Sequence, residues 1–362
     1  MSNIEWTQQT WNPTIGCSKK SAGCENCYAE RMAYRMSCNP KAPEGYQSVI
    51  TDGKWNGKTG LVESALTIPL KRKKPTVYFV GSMTDLFHKS VKNYWLDEIF
   101  AVMGSCPQHR FILLTKRPER MQEYCSSRRE EIRQNYVYRQ SFQVLKAAEE
   151  KGVDLPLWPL PNVLLGVTAE NQEQADKRIP ILLDTPAAAR FVSIEPMLGA
   201  VDLTPWDECD QCGVMRKDFD SYNEVGKAWD GWQCFNHYNP NGGCDGTFKG
   251  VLDWVICGGE SGPNARPMHP DWVSSLRDQC SSAGTPFFFK QWGESVDDLN
   301  RQARANVKGA FWMLPNGTTG KVQPEPKGCV WMNRVGKHAA GNLLNGQTWE
   351  QYPQILREVN DG

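Results

Sequence analysis

The absences in this sequence narrow it first. No apolar run among its 362 residues approaches the length that spans a bilayer, which argues against a membrane protein. The opening "MSNIEWTQQTW" has neither a basic stretch nor an apolar one, so no signal peptide is read and a cytoplasmic location is expected. Lys and Arg total 41 and Asp and Glu total 41, so no global charge points to a nucleic-acid partner. The two basic segments, "LKRKKP" and "TKRPER", read as solvated surface when each is taken alone. Histidine is scarce, with five in all and none before His88. A zinc site near the N-terminus would therefore lack an imidazole to complete it.

Cysteine is plentiful instead, at 13 residues. In a reducing compartment clustered cysteines read as metal or redox ligands, not as a disulfide framework. The first cluster lies in "WNPTIGCSKKSAGCENCYAERM", where Cys17, Cys24 and Cys27 have C-x6-C-x2-C spacing and Tyr28 opens a helical pattern. Four thiolates close the coordination of a 4Fe–4S cluster, whereas three leave one iron open to a small molecule. Cys38 is a rival ligand further along the same pattern. The other readings are a zinc knuckle completed from elsewhere and unliganded thiols. The second cluster, Cys209, Cys212, Cys234 and Cys244, lies in a stretch rich in Gly, Cys, Asp and Asn that has no helix or strand period. One C-x2-C pair is a good half-site, the other half is loosely spaced, and His237 is a substitute ligand. A structural zinc is expected there, with a second iron–sulfur cluster or free thiols as the alternatives.

Six nearly continuous apolar runs read as strands buried on both faces: Thr76–Gly81, Arg110–Thr115, Asn162–Thr168, Arg190–Glu195, Leu252–Gly259 and Pro286–Gln291. Helical patterns lie between them at Tyr94–Cys106, Pro118–Arg133, Gln172–Leu183 and Pro270–Ala283, and the segment before Cys17 offers a first strand. This alternation predicts an α/β fold, a full or partial (β/α) barrel with a Cys-rich insertion and a C-terminal appendage. The predicted division is 1–206 for the first part of the barrel, 207–249 for the insertion, 250–295 for the last strands and 296–362 for the appendage. The appendage contains a hairpin around the Asn-Gly of "GAFWMLPNGTTGK". Polar residues follow the strands at Ser82, Thr84, Asp85, Lys116, Arg117, Glu170, Asn171, Glu195, Glu260, Ser261, Gln291 and Glu294, the position where a barrel carries its active site.

Three clustered cysteines in the first loop of such a barrel, with an aromatic after the last, resemble radical S-adenosylmethionine (SAM) enzymes. The usual spacing there is C-x3-C-x2-C, and the longer x6 loop still delivers three thiolates. More specifically, "TWNPTIGC", "GCENCYAERM", "SMTDLFH", "LTKRPERM", "GVTAENQ", "FVSIEPMLG", "DWVICGGESGPNARPMHPDWV", "FFFKQWGE" and "GKHAAGNLLNGQTW" resemble a phage-encoded family described as a domain of unknown function, a divergent branch related to radical SAM proteins. The resemblance implies a 4Fe–4S cluster on Cys17, Cys24 and Cys27, SAM on the open iron, an external electron donor and a 5′-deoxyadenosyl radical. Ser82 and Asp85 are placed to bind the ammonium or carboxylate of SAM, and Glu170 or Asn171 its ribose. The competing reading of Asp85 is capping. "GGE" at Gly258, Gly259 and Glu260 is similar to a segment that such enzymes place near the methionyl amine. It follows a much later strand here, and a tight turn is the competing reading.

Cys257 reads as a buried small hydrophobe or, at a strand end, as a hydrogen-atom donor, and Tyr28 has a similar claim. His269 reads as a helix-start residue. The cations near strand ends, Lys116, Arg117, Arg120, Arg266 and Lys290, together with 14 tryptophans, suit phosphate contacts with base stacking, or a carboxylate-bearing small molecule. The phage resemblance makes DNA the expected partner. The expected activity is isomerisation of an N-linked amino-acid adduct, glycine in the sharpest form, on the 5-methyl carbon of thymine to a C-linked one. Arg117, Arg266 or Lys290 would hold the adduct's carboxylate. The alternatives are thymine-lesion repair similar to spore photoproduct lyase, and a non-catalytic iron–sulfur or zinc protein that binds nucleic acid.

Overall fold

The computed structural model describes residues 4–40, 42, 45–127, 158–206, 232–233, 247–248, 252–297, 310–321 and 324–360. The chain divides into two units, one of Met1–Thr168, Thr185–Arg190 and Pro353–Gly362, the other of Ala169–Asp184 and Phe191–Tyr352.

In the first unit, strands β1 (Gln9–Trp11), β2 (Val77–Val80), β3 (Arg110–Thr115) and β4 (Val163–Thr168) are parallel and lie side by side in chain order. Their register pairs Trp11 with Val80, Val80 with Leu113 and Leu113 with Leu165. All four residues of β2 and all six of β4 are buried, which explains why these strands are apolar at every position. Aromatics of the sheet pack ring to ring, with Tyr78 stacked on Phe111 of the next strand at 5.5 Å and Trp11 against the same Phe111, two strands away, at 5.7 Å. Among the described residues its longest helices are α1 (Tyr28–Ser37), α2 (Asn93–Gly104) and α3 (Pro118–Ser127). Helix α2 buries Leu96, Ile99, Phe100 and Met103, the i, i+3, i+4, i+7 stripe of a core-facing helix. Each such side chain stabilises the fold by roughly 1.5–3 kcal/mol.

The second unit carries α4 (Gln172–Leu183), most of β5 (Ala189–Ile194), β6 (Trp254–Gly258), α5 (Pro270–Ala283) and β7 (Phe287–Gln291). Its parallel strands also run in chain order, with Val192 opposite Val255 and Val255 opposite Phe287. Helix α5 is bounded as its sequence dictates. His269 accepts a hydrogen bond from the Asp271 N–H at the N-cap, Pro270 takes the first helical position, and Gly284 ends the helix at φ +69°. A four-stranded antiparallel sheet follows, in the order Ser295–Asp297, Val330–Arg334, Phe311–Met313, Thr319–Gly320. The last two strands are the expected hairpin, and Gly317 in its turn has φ +88°.

The α/β class stands, and strands in chain order within each unit fit a partial β/α barrel. The expected strands and helices recur with ends shifted by two residues at most, apart from the helix beginning at Pro118, which is described as far as Ser127. Its expected continuation to Arg133 lies outside the described residues, as do Cys209, Cys212, Cys234 and Cys244. Within the 207–249 stretch the structure describes two paired strands, Trp232–Gln233 and Thr247–Phe248. Among the described residues no helix is long and apolar enough to cross a membrane.

Candidate functional site

The first cysteine cluster forms one loop at the C-terminal end of β1. Thr14 and Ile15 pair with Leu61 and Gly60, and Gly16 bridges Thr84, so the chain entering Cys17 is pinned on two sides. Thr84 Oγ1 donates to the Gly16 carbonyl at 2.7 Å, and Gly16 N–H donates to the Met83 carbonyl at 3.2 Å. Cys24 closes a single 3₁₀ turn, Ala22–Cys24, with its N–H on the Ser21 carbonyl at 2.9 Å. Cys27 is the N-cap residue of α1, where the positive end of the helix favours an anionic ligand. All three thiols are half-buried and unpaired by disulfide. Burial foremost, then the Asp85 carboxylate, pushes the Cys17 thiol up to about 12, with Arg117 pulling the other way. Metal binding at Cys17 must therefore displace a proton.

Cys38 is exposed at the far end of the ten-residue α1, and a helix of that length separates it from Cys27 by ~15 Å, which removes it as a rival ligand. Among the described residues no three His, Cys, Asp or Glu side chains are gathered as a single metal ion requires. Cys17, Cys24 and Cys27 are half-buried on one loop that contains no fourth cysteine, and three thiolates are the donor set that leaves one iron of a four-iron cluster open.

Around Cys17 the ends of β2 and β3 make one polar network. Asp85 Oδ1 accepts from Thr115 Oγ1 at 2.7 Å and from Phe87 N–H at 3.0 Å, while Oδ2 accepts from Lys116 N–H at 3.1 Å and from Arg117 Nη1 at 2.6 Å. Arg117 Nη2 reaches the Ser18 carbonyl at 2.8 Å and Ser18 Oγ at 3.1 Å, and Nη1 approaches Cys17 Sγ at 3.9 Å. Ser18 Oγ also lies 2.7 Å from His88 Nε2, and His88 Nδ1 lies 2.7 Å from Ser90 Oγ. Burial, reinforced by Arg117, lowers the His88 pKa to about 4, so the ring is neutral. Arg120 donates to the His88 and Val91 carbonyls.

This geometry shows what two of the expected site residues face. Asp85 has both oxygens engaged within the protein and anchors the network. Arg117 is tied to Asp85, Ser18 and Cys17. Ser82 is half-buried, with its hydroxyl on Asn12 Oδ1 at 3.1 Å and its carbonyl accepting from Tyr28 OH at 3.0 Å. Ser18, His88 and Thr115 were not read as site residues from the sequence. The signal for His88 was its position closing "SMTDLFH", directly after the polar strand end that holds Asp85.

The remaining candidates gather in the second unit. Glu170 is wholly buried, and its carboxylate takes Arg178 Nη1 at 2.8 Å. Asn171 caps α4 by accepting from the Gln174 N–H at 3.1 Å. Neither is offered to a ribose. Glu260 holds Arg266 with both oxygens, at 2.6 Å to Nη2 and 2.9 Å to Nε, so Arg266 is committed internally. Lys290 pairs with Glu195 at 2.6 Å. Gly258 lies against Lys290 and Glu195, where a Cβ would sit 3.4 Å and 3.5 Å from their side chains. A Cβ on Gly259 would lie 2.0 Å from the Trp292 carbonyl oxygen. The "GGE" segment is thus a close-packed strand end, as the tight-turn reading expects. Cys257 is fully buried with Sγ 3.6 Å from Met197 Sδ, and burial pushes its thiol well up, so it is a protonated side chain packed in the core, as its reading as a buried small hydrophobe expects.

The family described as "Protein of unknown function (DUF5131)" matches residues 1–353. The chain belongs to that family. No curated protein and no solved structure matches it.

Proposed function

We propose that this DUF5131 protein is a radical SAM enzyme acting on a base in phage DNA, most specifically an isomerase that converts an N-linked glycine adduct on the thymine 5-methyl carbon to a C-linked one. The observation that carries the class is the donor set of the first loop: three half-buried thiols with no fourth cysteine in the loop itself, at the C-terminal end of a parallel strand. When bound there, a 4Fe–4S cluster with SAM on its open iron supplies a 5′-deoxyadenosyl radical after one-electron reduction by an external donor. Cys17, Cys24 and Cys27 would hold the cluster. Gly16 and Thr84 fix the approach of the loop, and α1 fixes its exit.

Nucleic acid as substrate is supported by the outer face of α1. Tyr28, Met32 and Tyr34 are exposed there at 49%, 38% and 48%, Arg35 is exposed on the same helix, and Lys20 is exposed in the loop before it. Tyr28, Met32 and Arg35 share one helical face that begins at Cys27. Aromatic and cationic side chains together suit a base and its phosphate. A base in duplex DNA has to leave the stack to be modified. In this reading the enzyme works in the host cytoplasm and needs no membrane, and the cysteines of the insertion hold a structural zinc.

Anaerobic reconstitution, reduction with dithionite and addition of SAM are expected to yield 5′-deoxyadenosine, and Cys24→Ala is expected to abolish it. With DNA carrying N-linked glycyl thymidine, the nucleoside should change chromatographic position without changing mass. A wild-type protein that carries a full cluster and leaves SAM intact would overturn the enzymatic reading in favour of a binding protein.

A further inference from the structure

We propose that Arg117 is a positioning residue that sets the redox poise of the cysteine-loop cluster, an inference that rests on the cluster reading above. One guanidinium joins three parts of the first unit. Nη1 lies 2.6 Å from Asp85 Oδ2 and 3.9 Å from Cys17 Sγ, and Nη2 lies 2.8 Å from the Ser18 carbonyl. The Arg117 side chain is 12% exposed and that of Asp85 8%, so water screens this charge little. The guanidinium is itself held from behind. Its backbone N–H donates to Thr115 Oγ1 at 2.9 Å, Thr115 Oγ1 donates to Asp85, and Asp85 is fixed by two backbone N–H groups. A planar fork held this way presents an N–H and a positive charge to one sulfur ligand in a fixed direction.

Hydrogen bonds to the sulfurs and local charge are levers on cluster potential. Reduction adds an electron next to Arg117, so the guanidinium stabilises the reduced cluster more than the oxidised one. Cys17 has this cationic partner on the strand-end side, at the polar end of β3, and it is the cysteine whose surroundings hold a buried carboxylate. Without Arg117 the same position would face Asp85 alone, and the cluster would be harder to reduce.

The test is an EPR-monitored redox titration of the full-length reconstituted protein, with iron and sulfide counted per chain. Arg117→Gln should lower the fraction of reduced cluster at a fixed mediator potential by roughly tenfold, and Arg117→Lys, which keeps the charge, should recover most of it. Asp85→Asn combined with Arg117→Gln removes both buried charges together and guards against misfolding from an unpaired Asp85. It should titrate closer to wild type than Arg117→Gln does. If Arg117→Gln takes up a full cluster and titrates with wild type, the inference fails. If variants lose iron but the retained cluster titrates with wild type, Arg117 is only a brace and the inference also fails. A wild-type protein without iron, sulfide and a cluster signal would sink the cluster reading itself, a result distinguishable from either of these.

Discussion

Gly16→Ala is expected to cost this protein its cysteine loop. Gly16 has φ +91°, and a Cβ built on it would lie 2.3 Å from the Lys58 carbonyl oxygen and 2.8 Å from Val49 Cγ1. The first obstacle is backbone, which has no rotamer to move. The strained φ costs an alanine about 1–3 kcal/mol, and the overlap adds about 1–3 kcal/mol or more. The displaced residue lies next to Cys17, so the loss reaches the thiols directly. Gly57→Ala is the matched control. Gly57 also has positive φ, at +81°, but nothing stands within 4 Å of its Cβ position. Gly16→Ala should bind severalfold less iron on reconstitution and melt well below Gly57→Ala, which carries the φ cost alone and should load normally. Equal loading and equal melting of the two variants would show that the Gly16 contact does not shape the loop.

Acid should destabilise the protein well before its carboxylates titrate. His88, His109 and His269 are wholly buried. Burial lowers the pKa of each ring from 6.5, and for His88 it reaches about 4. Between those values the unfolded chain binds a proton that the folded His88 refuses, so stability falls as pH drops from about 6.5 toward 4. The His88 contribution approaches about 3 kcal/mol at the lower limit, and the other two rings act in the same direction. A series of denaturant midpoints should be flat from pH 8 to 7 and fall steeply below 6.5. His88→Gln should have a shallower acid limb. An identical limb in that variant would mean that the buried His88 ring is not what makes the fold acid-sensitive.

The strands were legible because a strand buried on both faces must be apolar at nearly every position, as "VLLGVT" is. Helix α5 was legible end to end because Pro270 and Gly284 mark its limits. The short pieces of the first unit were not read, although one carried its signal. Asp52 and Gly53, both at positive φ, form the two-residue turn between Ile50–Thr51 and Lys54–Trp55. The cysteine loop could be read from spacing alone. The roles of the charged strand ends could not, because sequence places a charge at a strand end without showing what it faces. Arg117, Arg266 and Lys290 read alike as carboxylate clamps, yet each is paired with an acid of the chain: Asp85, Glu260 and Glu195. Glu170, just before the α4 N-cap, and Arg178, within that helix, form a buried pair that no linear pattern announced. Gly259 needed the position of the Trp292 carbonyl, which comes from the next strand end, before its role could be seen.

The proposed activity requires that the loop of Cys17, Cys24 and Cys27 hold a cluster with an iron left open for SAM. The most direct measurement is the EPR spectrum of the anaerobically reconstituted, reduced full-length protein before and after SAM is added. The expected result is a reduced-cluster signal that changes shape on addition of SAM and is lost in Cys24→Ala. A strong signal that SAM leaves unchanged would mean a closed cluster and would contradict the claim.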